Sequence, residues 1–302
     1  MEKVIIIGAG PAGISAALYA VRGNLDPLVI NNGIGALEKA EKIENYYGLE
    51  HPLSGQELYD TGIAQAKALG VRILDAQVLG VGGFDTFVVK TTEGEFETQS
   101  LILATGSKRA APKIPGVKEF EGKGVSYCAI CDAFFYRGKD VAVLGNGDFA
   151  MHEAKELSNT ASTVTIYTNG EEPEFTPEEN ISVNTMKIQS VEGDDLVSGI
   201  RLEPDVQAEE INAEAGLQAN DFCPAEGVFI AMGTAGSTEI ARQMGAELTE
   251  KGSIKVNENM ETTIPGLYAA GDCTGGLLQV AKAVYEGAQA GINAGKYVRA
   301  LK

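Results

Sequence analysis

The chain has no tryptophan, two histidines, four cysteines and far fewer cations than anions. Each scarcity closes off a class of function. His51 and His152 have no second histidine or cysteine close by in the sequence, whereas a zinc site needs about four well-placed Cys, His or carboxylate ligands. No metal is expected. Four cysteines in 302 residues do not make the disulfide framework of a small secreted domain. Against 42 Asp and Glu there are 24 Lys and Arg, a formal net charge of −18. Such a field repels nucleic acid and anionic membrane surfaces, so neither is expected as a partner. No apolar run reaches the roughly 18 residues of a membrane span. The apolar start at residues 4–7 is broken by glycine too early for a signal peptide. The expectation is a soluble, cytoplasmic protein.

What is present is a repeated pattern. At roughly 150 residues per domain the length suggests two domains. Val4-Ile5-Ile6-Ile7 predicts a buried strand. It runs into Gly8-Ala9-Gly10-Pro11-Ala12-Gly13 and then a helix from residue 14, with a second strand over 27–30. Strand, glycine turn, helix, strand is the unit that binds a dinucleotide: the glycines allow close backbone approach, and the helix N-terminus attracts a pyrophosphate. An acid about 20 residues on would ordinarily hold the ribose; here Asn31 and Asn32 stand there. The pattern recurs at residues 140–144, in the turn Gly145-Asn146-Gly147, in a helix to 157 and in a strand at 163–167. Between the two units, residues 100–104 predict a strand leading into Thr105-Gly106, and Pro112 and Pro115 mark a linker. Residues 266–270 predict another strand, ending in Gly271-Asp272, with a long helix over 277–301. Residues 205–220, acidic and alanine-rich, suggest a surface excursion.

Cys128-Ala129-Ile130-Cys131 precedes Asp132. Two thiols separated by two residues can close a small redox-active ring. Half a zinc knuckle and two inert cysteines are the alternatives, and the absence of a second CxxC weighs against the first. Cys223 and Cys273 have no paired spacing and suggest incidental thiols. Asp132 is either a proton donor or a polar loop residue.

The order of Gly8-Ala9-Gly10-Pro11-Ala12-Gly13, Glu44-Asn45, Ala104-Thr105-Gly106, Cys128-x-x-Cys131-Asp132 and Ala269-Ala270-Gly271-Asp272 resembles that of the low-molecular-weight flavin thioredoxin reductases. The similarity covers essentially the whole chain. It implies an α/β protein of two Rossmann-like, three-layer ββα domains of dinucleotide-binding type, the second inserted in the first. Residues 1–113 and 238–302 would form a discontinuous FAD domain, and 116–235 a redox-disulfide domain. By the same resemblance Gly8, Gly10, Pro11 and Ala12 line the pyrophosphate and Asn45 approaches the flavin. Ala104, Thr105 and Gly106 pass the adenine half, Gly271 and Asp272 meet the ribityl chain, and Gln279 and Val280 abut the ring. Asn31 and Val78 complete the candidate FAD contacts. Cys131 would face the flavin, Cys128 attack the protein disulfide and Asp132 handle protons. Thioredoxin is the implied partner and a homodimer the implied assembly.

The second glycine unit departs from the family. NADPH-dependent members follow it with a His-Arg-Arg cluster that grips the 2′-phosphate. This chain continues Thr168-Asn169-Gly170-Glu171-Glu172-Pro173-Glu174, with three carboxylates and no cation. Repulsion in place of attraction near a dianionic phosphate costs on the order of several kcal/mol. Phe149 stands where serine or threonine is usual and is expected to crowd the pyrophosphate; Leu278 replaces a common arginine. The pattern resembles the ferredoxin-dependent flavin thioredoxin reductases, which lack a working NADPH site. A ferredoxin near roughly −400 mV and a thioredoxin near about −270 mV differ by about 6 kcal/mol for two electrons. Ferredoxins are generally acidic, so docking would call for a basic patch, with Lys108, Arg109 and Lys113 or Lys39 and Lys42 as candidates. An NADH- or NADPH-dependent reductase with an atypical site and a flavoprotein redox sensor are the rival functions.

Overall fold

Val4, Ile5, Ile6 and Ile7 are all buried, as a strand covered on both faces requires. The computed structural model describes residues 1–83, 85–106, 112–127, 129–204, 221–232 and 236–301; the side chains of Ile130 and Cys131 lie outside that description. The chain divides into two compact units, Met1–Arg109 with Ala235–Lys302, and Ala110–Thr234.

The first unit opens with β1 (Glu2–Ile7), α1 (Pro11–Arg22), β2 (Leu28–Asn31), α2 (Gly55–Ala68) and β3 (Arg72–Asp75). A meander of β4 (Val78–Gly82), β5 (Phe87–Thr91) and β6 (Gly94–Leu103) follows. The second unit contributes β7 (Val125–Ser126), α3 (Ala129–Asp132), β8 (Asp140–Leu144), α4 (Asp148–Ser158), β9 (Thr163–Tyr167) and β10 (Ser182–Asn184). Then come β11 (Ile188–Gly193), β12 (Val197–Leu202), β13 (Phe222–Pro224) and β14 (Gly227–Ile230). The chain returns to the first unit with α5 (Ser237–Gln243), β15 (Leu267–Ala269) and α6 (Val280–Ala300).

In the first unit β3, β2, β1, β6 and β15 run parallel, and β5 and β4 extend the sheet antiparallel from β6. In the second, β10-β9-β8-β14-β7 is a parallel sheet beside the antiparallel β11-β12-β13. The fold is therefore α/β with two Rossmann-like dinucleotide-binding domains, the second inserted in the first.

Close backbone approach ties the ends of the chain into one unit. A Cβ at Gly287 or Gly291 on α6 would run into the carbonyl oxygens of Ala12 and Ala16 on α1. Ser15 Oγ adds a hydrogen bond to the Val284 carbonyl at 2.7 Å. Burying each large aliphatic side chain of the β1 core contributes about 1.5–3 kcal/mol. The helix expected from residue 277 begins only at Val280. Gln279, its N-cap, is extended at φ −141° and ψ 149°, a conformation outside the α-helix, and Leu277 and Leu278 before it are left exposed.

Candidate functional site

The first glycine turn is open. Gly8 holds φ +108°, and a side chain there would strike the Ala104 carbonyl, so only glycine serves. Gly10 is the N-cap of α1, has no side-chain cap and is followed by Pro11; no acid lies in the first turn. A Cβ on Gly10 would meet nothing within 4 Å. The first N–H groups of α1 are thus aimed at open space without a competing negative charge. That environment suits a pyrophosphate.

The end of β2 shows how the fold makes good an absence in the local sequence. Asn31 Nδ2 donates to Asp75 Oδ1 at 2.6 Å, and Tyr59 Oη donates to Asn31 Oδ1 at 2.8 Å. The acid absent beyond β2 therefore stands at the end of β3, in register with Asn31. Burial, the largest cause, raises the Tyr59 phenol pKa. No local pattern pointed to Asp75 or Tyr59.

Other candidates gather at the same end of the sheet. Asn45 Nδ2 donates to Gln279 Oε1 at 3.0 Å, joining residues 234 positions apart. Thr105 and Ser237 interlock: Thr105 N donates to Ser237 Oγ at 3.1 Å, and Ser237 N to Thr105 Oγ1 at 2.8 Å. Ala104 and Val78 are buried, and Gly106 holds φ +86°. Gly271 N donates to Glu286 Oε2 at 2.9 Å. Lys282 Nζ reaches that same oxygen and Thr274 Oγ1 at 2.9 Å, and the Gly271 carbonyl at 2.8 Å. Burial raises the pKa of the neighbouring Asp272, while Lys282 works against that rise. Val280 opens α6. Ser237, Lys282 and Glu286 escaped the sequence analysis; a Lys and a Glu four apart on an otherwise small-residue helix face were the available signal.

The second glycine turn is closed. Asn146 Nδ2 donates to Glu171 Oε2 at 2.6 Å, and Glu174 N donates to the Asn146 carbonyl at 2.7 Å. The acidic segment after β9 folds across the turn. Asp148 adds a carboxylate in the first turn of α4. Phe149, expected to crowd the pyrophosphate, is instead buried, 3% exposed. It faces the interior because α4 turns Phe149, Ala150, Glu153, Ala154 and Leu157 inward.

Around the redox motif, Cys128 lies outside the described residues, and Cys131 falls within α3. Ser126 Oγ donates to Asp132 Oδ2 at 2.6 Å. Glu153, only 1% exposed, accepts from Ala129 N through Oε2 at 2.6 Å, and its Oε1 has no partner. Burial drives its pKa up to about 7; the Ala129 N–H lowers it and the Glu156 charge raises it further. Phe134 and Phe135, just beyond the motif, are exposed and meet edge to face. Burial pushes the Cys273 thiol up to about 12, which makes it inert.

Of the candidate basic patches, Lys108 and Arg109 lie outside the described residues. Lys113 and Lys39 are exposed, and Lys42 is paired with Glu44 at 2.8 Å. Among the described residues no group of three metal-ligating side chains occurs. No helix among them is long and apolar enough to cross a membrane.

Residues 2–287 match the family model for pyridine nucleotide-disulphide oxidoreductases. A thioredoxin reductase of Aquifex aeolicus is 38% identical over 284 residues, covering 89% of this chain and 84% of the relative. Among solved structures, the atypical thioredoxin reductase TRi of Desulfovibrio vulgaris Hildenborough is 39% identical, with a TM-score of 0.88 and 99% of each chain covered. A ferredoxin-flavin thioredoxin reductase of Clostridium acetobutylicum is 29% identical, with a TM-score of 0.69, covering 99% of this chain and 98% of that one. The open glycine turn fits a flavin dinucleotide, and the chain belongs to the pyridine nucleotide-disulphide oxidoreductases and, within them, to the thioredoxin reductases, flavin-dependent disulfide reductases whose cofactor is FAD.

Proposed function

We propose that this chain is a ferredoxin-dependent thioredoxin reductase: electrons from reduced ferredoxin pass by way of FAD to the Cys128–Cys131 disulfide and on to thioredoxin. The observation that carries the choice of donor is the closed second turn. Glu171 engages the side-chain Nδ2 and Glu174 the backbone carbonyl of Asn146, and no cation is present in residues 168–174 to meet a 2′-phosphate. Two similar structures, one described as atypical and one as ferredoxin-flavin, support this reading.

Bound FAD can take up electrons singly and release them as a pair, which lets a one-electron donor serve a two-electron disulfide. The chain's own residues do the rest. In this reading the first unit holds FAD: Gly10 and Ala12 present backbone N–H groups to the pyrophosphate, Gly8 and Pro11 let the backbone approach it closely, and Asn31 with Asp75 takes the ribose hydroxyls. Val78, Ala104, Thr105 and Gly106 border the adenine half. Gly271 and Asp272 meet the ribityl chain, with Asn45, Gln279 and Val280 toward the ring.

The second unit carries the thiol chemistry. The Cys128 thiolate attacks one sulfur of the thioredoxin disulfide, forming a mixed disulfide and releasing the other sulfur as a thiolate. The Cys131 thiolate then attacks Cys128 sulfur, which restores the Cys128–Cys131 disulfide and frees thioredoxin as a dithiol. Asp132, held by Ser126, passes the proton lost by the attacking Cys131 thiol to one departing sulfur, and solvent protonates the other. Exposed Phe134 and Phe135 offer thioredoxin an apolar contact beside the reacting pair. The same resemblance extends the proposal to a cytoplasmic homodimer.

The test is anaerobic bleaching of the visible flavin band, with NADPH, NADH and reduced ferredoxin added to separate samples. Ferredoxin alone is expected to bleach it. Rapid bleaching by either nicotinamide overturns the donor assignment and returns the protein to the nucleotide-dependent reductases. Bleaching by ferredoxin without turnover of thioredoxin favours a redox sensor.

A further inference from the structure

Glu153 is a buried acid without a cation. One oxygen takes the Ala129 N–H at 2.6 Å, and the other is buried with no partner. Ala129 N is bonded to the carbonyl carbon of Cys128, so the carboxylate lies against the peptide that joins the redox pair. An unpaired buried carboxylate is costly. A glutamine would accept the same N–H at lower cost, so a hydrogen bond alone does not account for an ionisable group here.

We propose that Glu153 is a positioning residue whose charge is coupled to the state of the Cys128–Cys131 pair: it fixes the peptide after Cys128 and, when ionised, keeps the reduced pair protonated. The inference rests on the redox role assigned above to Cys128 and Cys131. Reduction breaks the S–S bond and adds the two electrons of the reductase cycle. The two sulfurs then take up two protons from solvent to form the dithiol, or one to form a thiol and a thiolate. A negative Glu153 disfavours the thiolate and holds the second proton on the pair. The carboxyl pKa of about 7 places this coupling in the working range of a thiol reductase.

The groups around Glu153 are few. On α4 itself His152 and Glu156 flank it, and the Glu156 charge opposes its ionisation. From α3 comes Asp132, whose carboxylate is engaged by Ser126. The strands β8 and β9, against which α4 packs, bring Asp140, exposed and bonded to Thr163 Oγ1 at 2.7 Å, and the buried Tyr167. Among the described residues no cation pairs with Glu153. In the proposal the redox pair, whose linking peptide donates the Ala129 N–H to Glu153, is the partner whose charge changes during turnover.

The experiment is iodoacetamide alkylation of the anaerobically reduced holoenzyme from about pH 5.5 to about pH 9.5, read peptide by peptide by mass spectrometry. In the wild type the Cys128 rate is expected to rise in two coupled steps. Glu153→Gln retains an acceptor for Ala129 N–H and removes the charge. It is expected to leave one step and to react about 3–10-fold faster near pH 7. Superimposable wild-type and Glu153→Gln profiles overturn the proposal. A merely structural role would change the rates without removing a step.

A second measurement needs no variant. The redox-difference infrared spectrum of the wild type near pH 6.5, at about the carboxyl pKa, is expected to show a protonated-carboxyl band that changes between disulfide and dithiol. An unchanged carboxyl region overturns the coupling. Cys128→Ser separates the two claims. If that variant still reduces thioredoxin, the redox assignment fails. If it is inactive and the alkylation profiles superimpose, only the Glu153 inference fails.

Discussion

The two glycine turns begin from the same local chemistry and end in opposite states. Gly10 and Gly147 are both helix N-caps in extended backbone, both without a side-chain cap, and both with open space where a Cβ would stand. The first opens a helix with no acid in its first turn. The second has Asp148 there, and Glu171 and Glu174 lie across it. A strand–turn–helix is therefore a scaffold for binding an anion, and the charges that arrive from elsewhere in the chain decide whether it does so. The two buried glutamates repeat the contrast. Glu286 has Lys282 at 2.9 Å and two further donors, whereas Glu153 has one backbone N–H.

Matched substitutions at the two turns should show the largest difference. Gly10→Asp puts a carboxylate where the pyrophosphate binds and is expected to lower FAD affinity by 100-fold or more, an order-of-magnitude figure. The measurement is the flavin-to-protein absorbance ratio after gel filtration. Gly147→Asp is expected to change ferredoxin-driven turnover by less than about twofold, since aspartate is a good N-cap and that turn binds no nucleotide. Equal losses from both variants would break the comparison.

Glu286→Ala leaves the partly buried Lys282 without its counter-ion and Gly271 N without its acceptor. Breaking a buried pair this way costs about 3–5 kcal/mol, visible in urea unfolding, and should loosen FAD as well. Glu153→Gln should have the opposite sign. The wild-type carboxyl rises from an ordinary value near 4.5 to about 7. Its stabilising share is full below about pH 4.5 and lost as pH rises through about 7. Relative to the wild type, the glutamine variant is expected to match it in acid and to gain up to about 3 kcal/mol above neutrality. Parallel thermal-melt curves at both extremes would refute this.

The smallest effect belongs to Glu171→Ala. It removes an exposed hydrogen bond worth about 1 kcal/mol or less. It is expected to leave ferredoxin-driven turnover intact and to give no NADPH bleaching, because no cation is gained. New bleaching by NADPH would mean that the fold-back, rather than the missing cations, is what closes the turn.

Much of the site could be read locally. Gly8 to Gly13 and Gly145 to Gly147 announce their turns because only small residues allow the chain to pass so closely, and such constraints span a few positions. The burial of β1 followed from its unbroken apolar run. Phe149 was misjudged because its identity was visible and its direction was not: the inward face of α4 takes it into the core. The start of the last helix was set by the extended backbone of Gln279, three residues later than its apolar content suggested.

By itself the sequence determined the two dinucleotide-type turns, the thiol pair with its neighbouring acid and the absence of cations for a 2′-phosphate. All of these depend on residue type at short spacing. Only the tertiary structure decided that Asp75 stands beside Asn31, that Gln279 meets Asn45, that the Glu171–Glu174 segment lies over Asn146 and that Glu153 sits under Ala129. Those contacts join residues 24 to 234 positions apart. They arise where parallel strands and packed helices bring separate segments together, and periodicity in the sequence carries no record of which polar groups will meet there.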